Sequence, residues 1–256
     1  MRGLAKNSAQ TVFYVENNLH TYYNEDRWAA VIVWRLSLHY EKHEEEEMLI
    51  YLMRHGETDW NKEKRLQGQS DIPLNEYGVD LAVKTAEALA EVSFDMAFCS
   101  PLGRAEETAR IILGTRKTPL YPDARLKEIN FGTHEGVCFD TAKQDPKDPL
   151  HNFFCEPDRY VPPEGAESFA QVMERGRSFL QEKVVPLEGV CESVLVVAHG
   201  AFNRSLLSLV MGMPLKDFWR IALPNCAVSI LSLEEGRLKV VEESKVYYGE
   251  PVNGRP

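Results

Sequence analysis

Short apolar segments alternate with amphipathic segments along most of the chain. Two segments are almost entirely apolar, as strands buried on both faces of a parallel sheet are. These strands are predicted over 48–53 and 193–198, with a shorter one over 94–99. Apolar residues at helical spacing predict helices between and after them. The predicted helices cover about 76–91, 103–113, 169–184 and 202–211.

Local signals support these elements. Asn75 is a suitable N-cap for the first helix, and Ser168 with Gln171 has the spacing of a capping box before the third. The segments 227–233 and 238–241, joined by a turn at Glu235, predict a closing hairpin. Strands that alternate with helices predict an α/β fold with a largely parallel sheet.

The first 47 residues differ from the rest. Alternation over 34–40 predicts a half-buried strand, and an acidic run at 44–47 precedes Met48. Glutamate codons are purine-rich, so this run could encode a ribosome-binding site before a true start at Met48. The alternative is an added hairpin. We therefore predict an N-terminal extension over 1–47 and one domain over 48–256.

Composition narrows the class of protein. A hydrophobic content of 44% and a charged content of 27% are ordinary for a soluble globular protein. The formal charge of −10 disfavours partners such as nucleic acid or an anionic membrane. No apolar run approaches the roughly 20 residues that span a bilayer. Five widely spaced cysteines without a CxxC pair indicate reduced thiols and a cytoplasmic location.

Histidine and arginine side chains follow three predicted strands. Arg54 and His55 follow the first, Arg104 lies shortly after the second, and His199 follows the third. Ligands gather at the carboxyl ends of strands in open α/β sheets, so we expect these groups to converge. Each residue also has an ordinary explanation. The histidines could be structural, and Arg104 could pair at the surface with Glu57 or Glu107.

Two histidines and two arginines without a cluster of Asp indicate an anion site, not a metal site. The planar guanidinium suits a phosphate dianion, and nearby arginines keep an imidazole neutral and nucleophilic. Such an imidazole can form a covalent phosphohistidine. A carboxylic acid must then protonate the leaving alkoxide and later deprotonate water. Glu128 is the candidate for this acid, and Glu135 is its rival.

Several motifs resemble those of the histidine phosphatase superfamily, in its phosphoglycerate mutase-like branch, which includes α-ribazole phosphatase and fructose-2,6-bisphosphatase. The resemblance covers Met48 to about Glu243. The motifs are Arg54-His55-Gly56-Glu57-Thr58-x-x-Asn61, Arg65-Leu66-Gln67-Gly68, Ser100-Pro101-Leu102-x-Arg104-Ala105, Glu128-x-x-Phe131-Gly132-x-x-Glu135-Gly136, Pro163-x-Gly165-x-Glu167-Ser168 and His199-Gly200.

This resemblance implies a three-layer α/β/α sandwich around a mostly parallel sheet, without a metal or organic cofactor. It implies a small phosphorylated substrate and leaves the oligomeric state open. It also implies a role for each matching residue. His55 would be the nucleophile and Glu128 the general acid and base; Arg54, Arg104 and His199 would complete the phosphate pocket; Asn61, Gln67, Gly68 and Gly200 would contact substrate.

Three functions remain open. Hydrolysis of a phosphomonoester is favoured, because residues 128–132 resemble the phosphatase version of that motif and not the version that we know from the mutases. A phosphoglycerate mutase using the same site is the first alternative, and a catalytically dead phospho-ligand binding module is the second. The Pro-, Asp- and Lys-rich segment 138–165 is a candidate lid. Its basic side chains could meet a second anionic group of the substrate or simply face solvent.

Overall fold

A computed structural model describes residues 47–249 of the chain. The strand predicted over 34–40 lies outside these residues, so it stays a prediction, as does the domain boundary at 47/48. The strands are β1 (Met48–Arg54), β2 (Met96–Cys99), β3 (Leu120–Pro122), β4 (Ser193–Ala198), β5 (Val228–Glu234) and β6 (Arg237–Lys245). The α-helices are α1 (Asp59–Lys62), α2 (Glu76–Ala88), α3 (Gly103–Leu113), α4 (Phe139–Gln144), α5 (His151–Cys155), α6 (Phe169–Phe179) and α7 (Gly200–Met211).

The six strands form one sheet in the order β3-β2-β4-β1-β5-β6. The first four are mutually parallel, whereas β5 pairs antiparallel with β1 and with β6. In the central pair, Leu52 is opposite Val196 and Arg54 is opposite Ala198. The carboxyl ends of β2, β4 and β1 therefore lie side by side at one edge of the sheet.

Helices pack on both faces of this sheet. Tyr51 and Met53 of β1 belong to a buried cluster that includes side chains of α3 on one face. On the other face, Phe98 of β2 meets Phe179 of α6 edge to face, with 5.2 Å between ring centroids. Successive strand residues point to opposite faces, which is why β1, β2 and β4 are apolar at almost every position. The predicted three-layer α/β fold with a mostly parallel sheet is confirmed.

The predicted caps and turns are also confirmed. The Asn75 side chain accepts the Gly78 N–H, and Ser168 forms the capping box with Gln171. Glu235 and Gly236 both have positive φ at the hairpin turn, at 51° and 71°. A two-residue turn with positive φ at both positions matches the twist of the paired strands.

Several element bounds differ from the sequence prediction by a few residues, and three differences are larger. The α-helix of α6 ends at Phe179, and Leu180–Val184 continue it as a π-helical turn before Pro186. Strand β3 was not predicted, because it has three residues at the sheet edge and none of them is buried. The weakly periodic segment 138–165 contains the short helices α4 and α5. None of the helices in the described part of the chain is long and apolar enough to cross a membrane.

Candidate active site

The side chains at the three strand ends meet in the folded chain. The ring centroids of His55 and His199 are 5.1 Å apart. Arg54 and Arg104 lie close enough to lower the pKa of both imidazoles. His55 is 2% exposed, and Arg104 and His199 are fully buried. This placement follows from the sheet order, because β2, β4 and β1 are adjacent parallel strands.

The His55 ring is held in one tautomer. Its Nδ1 lies 2.6 Å from the carbonyl oxygen of Gly56. A carbonyl only accepts hydrogen bonds, so Nδ1 carries the proton and Nε2 keeps its lone pair. Burial lowers the pKa of His55 well below its usual value, and the charges of Arg104 and Arg54 lower it further. The neutral, nucleophilic form is therefore favoured at neutral pH.

Arg104 is anchored from inside the protein. Its Nη1 donates to the Ser70 carbonyl and its Nη2 to the Gly68 carbonyl, both at 2.7 Å. Burial lowers the pKa of Arg104 to about 10, and the charge of Glu128 is the largest influence that opposes this shift. The alternative of a surface ion pair with Glu57 or Glu107 does not describe this side chain, which is fully buried.

Arg54 is anchored in a similar way, with Nη1 donating to the Leu223 carbonyl at 2.5 Å. The buried Nε atoms of Arg54 and Arg104 have no hydrogen-bond partner among the described residues, nor has either ring nitrogen of His199. Buried polar atoms are nearly always paired in folded proteins, so this group of unpaired atoms indicates a place for a ligand. With a neutral His199, three of the four atoms carry an N–H that can donate to an anion.

The side-chain carboxyl group of Glu128 lies at the N-terminal end of α7. Its Oε2 accepts from the Ala201 N–H at 3.0 Å, and its Oε1 accepts from the Phe202 N–H at 2.9 Å. The first N–H groups of a helix have no partner within the helix, and the Glu128 side chain supplies two of the missing acceptors. The charge of Glu128 acts on both Arg54 and Arg104.

The rival carboxylate, Glu135, has a different environment. It accepts the backbone N–H groups of Gln69 and Ser70, both at 2.8 Å, and the Ser70 hydroxyl at 2.5 Å. These bonds fold the loop that supplies the carbonyls bound by Arg104. Glu135 therefore shapes the pocket wall, and Glu128 is the better candidate for proton transfer.

The structure also gives separate environments to the predicted substrate-contact residues. Asn61 is used locally, since its Oδ1 accepts the Thr58 N–H in a capping box at 3.2 Å. Gln67 is buried and its Oε1 has no partner among the described residues, so this oxygen is available to accept a hydrogen bond from a ligand. Gly68 has φ +52°, and a Cβ there would lie 2.0 Å from the Glu135 carboxylate, so a larger residue would strain the backbone and displace Glu135. Gly200 begins α7 beside Arg54.

Three further residues at the site were not predicted as site residues. The Asn225 amide donates to the His55 carbonyl at 3.0 Å and to Asn61 Oδ1 at 3.3 Å. Arg175 donates to the carbonyl of Glu128 at 3.1 Å. Arg204 lies one helical turn after Gly200. An arginine in the first turns of a helix after a motif histidine is a signal that could have found Arg204, whereas Asn225 and Arg175 reach the site only through the fold.

Comparison with known proteins identifies the family. Residues 50–245 match the family model of the histidine phosphatase superfamily, branch 1. The chain therefore belongs to the histidine phosphatase superfamily, and the resemblance seen in its motifs is confirmed. The predicted enzyme class, a phosphatase of the histidine type, agrees with this match.

Curated relatives carry both phosphatase and mutase names. The chain is 33% identical over 183 residues to "Probable 2-carboxy-D-arabinitol-1-phosphatase" of Arabidopsis thaliana, a match of 71% of this chain but 37% of that protein. It is 32% identical over 188 residues to "Probable phosphoglycerate mutase GpmB" of Escherichia fergusonii, which covers 73% of this chain and 86% of that protein.

A solved structure with the same fold is Bacillus stearothermophilus YhfR. It is 36% identical, with a TM-score of 0.73 over 78% of this chain and 98% of that one. Phosphoserine phosphatase from Entamoeba histolytica, in complex with 3-phosphoglyceric acid, is 26% identical. Its TM-score is 0.69 over 78% of this chain and 98% of that one.

Proposed function

We propose that this chain hydrolyses a small phosphorylated metabolite through a phosphohistidine on His55. The observation that carries the proposal is the His55 imidazole itself. Its Nδ1 proton faces the Gly56 carbonyl, its Nε2 lone pair is free, and guanidinium groups flank it. A neutral imidazole beside fixed positive charge is suited to attack a phosphoryl group, because the charge of the transition state falls on the phosphoryl oxygens.

The proposed reaction has two steps. In the first, His55 Nε2 attacks phosphorus, the ester P–O bond breaks, and Glu128 gives its proton to the leaving oxygen. In the second, Glu128 takes a proton from water, the water oxygen attacks phosphorus, and the P–N bond breaks. Arg54, Arg104 and His199 hold the phosphoryl oxygens throughout. Gln67 uses its unpaired Oε1 to position the substrate or the water, and Asn61, Gly68 and Gly200 complete the proposed binding surface.

Phosphate release from p-nitrophenyl phosphate tests this proposal. We expect His55→Ala to lower the rate at least about 10⁴-fold and to abolish an acid-labile phosphoenzyme, since the nucleophile is lost. Glu128→Gln should slow poor leaving groups by about 10²-fold or more, and good leaving groups far less. Glu87→Gln, an exposed carboxylate on α2, is the control. Normal hydrolysis by His55→Ala would refute the mechanism.

A mutase is the second candidate, because relatives that match 86% of their own length carry that name. The two activities differ in whether water or a second hydroxyl takes the phosphoryl group. Incubation with 3-phosphoglycerate separates them. Phosphate release supports a hydrolase, whereas rapid formation of 2-phosphoglycerate with little phosphate would establish a mutase.

The binding module is disfavoured because all of the proposed catalytic groups are present and close together. Phosphate binding without any phosphoenzyme would establish it instead.

The cytoplasmic location stays a prediction from the cysteine pattern. The chemistry proposed here needs no metal, and residues 47–249 contain no group of three or more His, Cys, Asp or Glu side chains that could hold one.

A further inference from the structure

Arg204 lies at the border of the proposed phosphate pocket. Side chains on a helix point back toward its N-terminus, so Arg204 reaches the first turn of α7. A Cβ placed on Gly200 would lie 3.4 Å from Arg204 Nη1 and 3.5 Å from Arg54 Nε. The two guanidinium groups therefore flank the same backbone position. Arg54 belongs to the proposed phosphate pocket, so Arg204 lies next to that pocket.

The guanidinium of Arg204 is fixed in place on one side. Its Nε donates to the Ile221 carbonyl at 2.9 Å, and its Cζ lies 4.8 Å from the ring centre of Trp219. The Trp219 indole N–H in turn donates to the Phe153 carbonyl at 2.7 Å. Within the described part of the chain, Nη1 and Nη2 of Arg204 have no hydrogen-bond acceptor. A pre-positioned fork with both outer nitrogens unused is suited to a planar anion.

The charges around Arg204 also leave room for an anion. Burial lowers the pKa of Arg204 to about 9; Arg54 repels it and Glu128 attracts it. In the proposed reaction Glu128 enters the first step with its proton and without charge, so it does not compensate Arg204 when the substrate binds. Arg54 is then occupied by phosphate. A second negative charge on the substrate would then compensate the positive charge of Arg204.

Two of the cations in the predicted lid are engaged elsewhere. Lys143 lies over the rings of Phe139 and Phe154, at 4.8 Å and 5.2 Å from their centres. Arg159 pairs with Glu156 at 3.0 Å. The basic side chains of the segment 138–165 were candidates for a second anionic group of the substrate. These contacts make Arg204 a stronger candidate than Lys143 or Arg159.

We propose that Arg204, held against Trp219, binds a carboxylate of the substrate. The preferred substrates are then phosphomonoesters that carry a carboxylate a few bonds from the phosphate. This inference rests on the proposed function and assigns a substrate class to the same site. Arg204 determines substrate specificity, because it holds a part of the substrate that does not react.

A matched pair of substrates tests the assignment. 3-Phosphoglycerate and glycerol 3-phosphate differ in a carboxylate against a hydroxymethyl group, and both release a primary alkoxide. We expect wild-type kcat/KM for phosphate release to favour 3-phosphoglycerate at least about tenfold, as one charge-assisted hydrogen-bond pair would provide. Arg204→Met should bring this ratio close to one, mainly through KM. Arg204→Lys, which keeps the charge but not the fork, should give an intermediate ratio.

The control is Arg220→Met, an exposed arginine next to Trp219, which should keep the wild-type ratio. A wild-type ratio near one would overturn the proposal. So would an Arg204→Met variant that slows both substrates by the same factor, because Arg204 would then serve Arg54 or Glu128 and not the substrate.

Binding to a catalytically inactive chain separates this proposal from the proposed function. Calorimetry on His55→Ala should show tighter binding of 3-phosphoglycerate than of glycerol 3-phosphate, and His55→Ala/Arg204→Met should lose the difference. Equal affinity, or no binding of either ligand, would refute the carboxylate site. Wild-type protein that binds with this preference but releases no phosphate would refute hydrolysis and leave the carboxylate site standing.

Discussion

The proposed phosphate pocket and the aromatic cluster beside it are built in opposite ways. We define the aromatic cluster by Phe153, Phe154, Tyr160, Phe169 and Trp219. Phe153 is 1% exposed and meets five other rings at centroid distances of 4.9–5.3 Å. In the pocket, by contrast, the ring nitrogens of the fully buried His199 have no partner among the described residues.

This difference separates stability from function. Buried aromatic contacts lower the free energy of the folded chain, whereas buried polar atoms without partners raise it. A pocket of unpaired groups is a cost that a ligand can remove. The two regions are joined by the Trp219 hydrogen bond to Phe153 and by the Arg204 stack on Trp219, so the stable cluster also supports the site.

The largest effect is expected in the aromatic cluster. Phe153→Ala should lower the free energy of unfolding by about 3–5 kcal/mol, because it leaves a cavity among five rings. Urea unfolding at pH 7 measures the loss. Val161→Ala is the control, since Val161 is 77% exposed and its loss should change stability little. A Phe153→Ala chain as stable as wild type would contradict the claim that the aromatic cluster stabilises the folded chain.

The second-largest effect is expected when the pH is lowered, because the buried histidines of the pocket then destabilise the folded chain. Burial is the main reason that the pKa values of His55 and His199 fall well below the usual 6.5. The unfolded chain therefore takes up protons below about pH 6.5 that the folded chain does not. Stability should fall with decreasing pH from there, by up to about 1.4 kcal/mol per pH unit for each histidine, until the folded pKa is reached.

Urea unfolding at pH 7.0, 6.0 and 5.0 measures this slope. His199→Gln should remove about half of it, because one of the two depressed histidines is gone. The same stability at all three pH values, or an unchanged slope in the variant, would contradict the assignment of neutral histidines to the pocket.

The smallest effect should come from a residue that positions Glu128 without reaching the substrate. Arg175 donates to the carbonyls of Arg125 and Lys127, both at 2.5 Å, and pairs with Glu167 at 3.0 Å. Arg175→Lys keeps the charge but cannot serve all of these acceptors. We expect about a tenfold loss of kcat for poor leaving groups and a smaller loss for good ones, as for Glu128→Gln.

Arg177→Lys is the matched control, because Arg177 is also on α6 but pairs with Glu174 at the surface. Rates across a series of phenyl phosphates measure the effect. An equal loss for all leaving groups would mean that Arg175 supports the fold in general and not the position of the proposed acid.

Local patterns were sufficient to predict five of the six strands of the sheet. The apolar runs at β1 and β4 predicted both strands, and β4 was predicted with its observed bounds. The groups after these strands converge because parallel βα units place their carboxyl ends at one edge. The side chains that lie in loops had no such signal. Asn225 reaches His55 across 170 positions of the chain, and no local periodicity marks it.

The amino-acid sequence by itself determined the α/β class and the histidine phosphatase motifs. It also placed Arg54, His55, Arg104 and His199 after strands whose carboxyl ends lie at one edge of the sheet. These depend on short-range periodicity and on the residues directly after each strand. Only the tertiary structure gave Glu128 and Glu135 their different environments, and only it brought Arg204 beside Arg54. Such choices depend on backbone N–H groups and charges far apart in the chain, and their positions exist only once the helices have packed on the sheet.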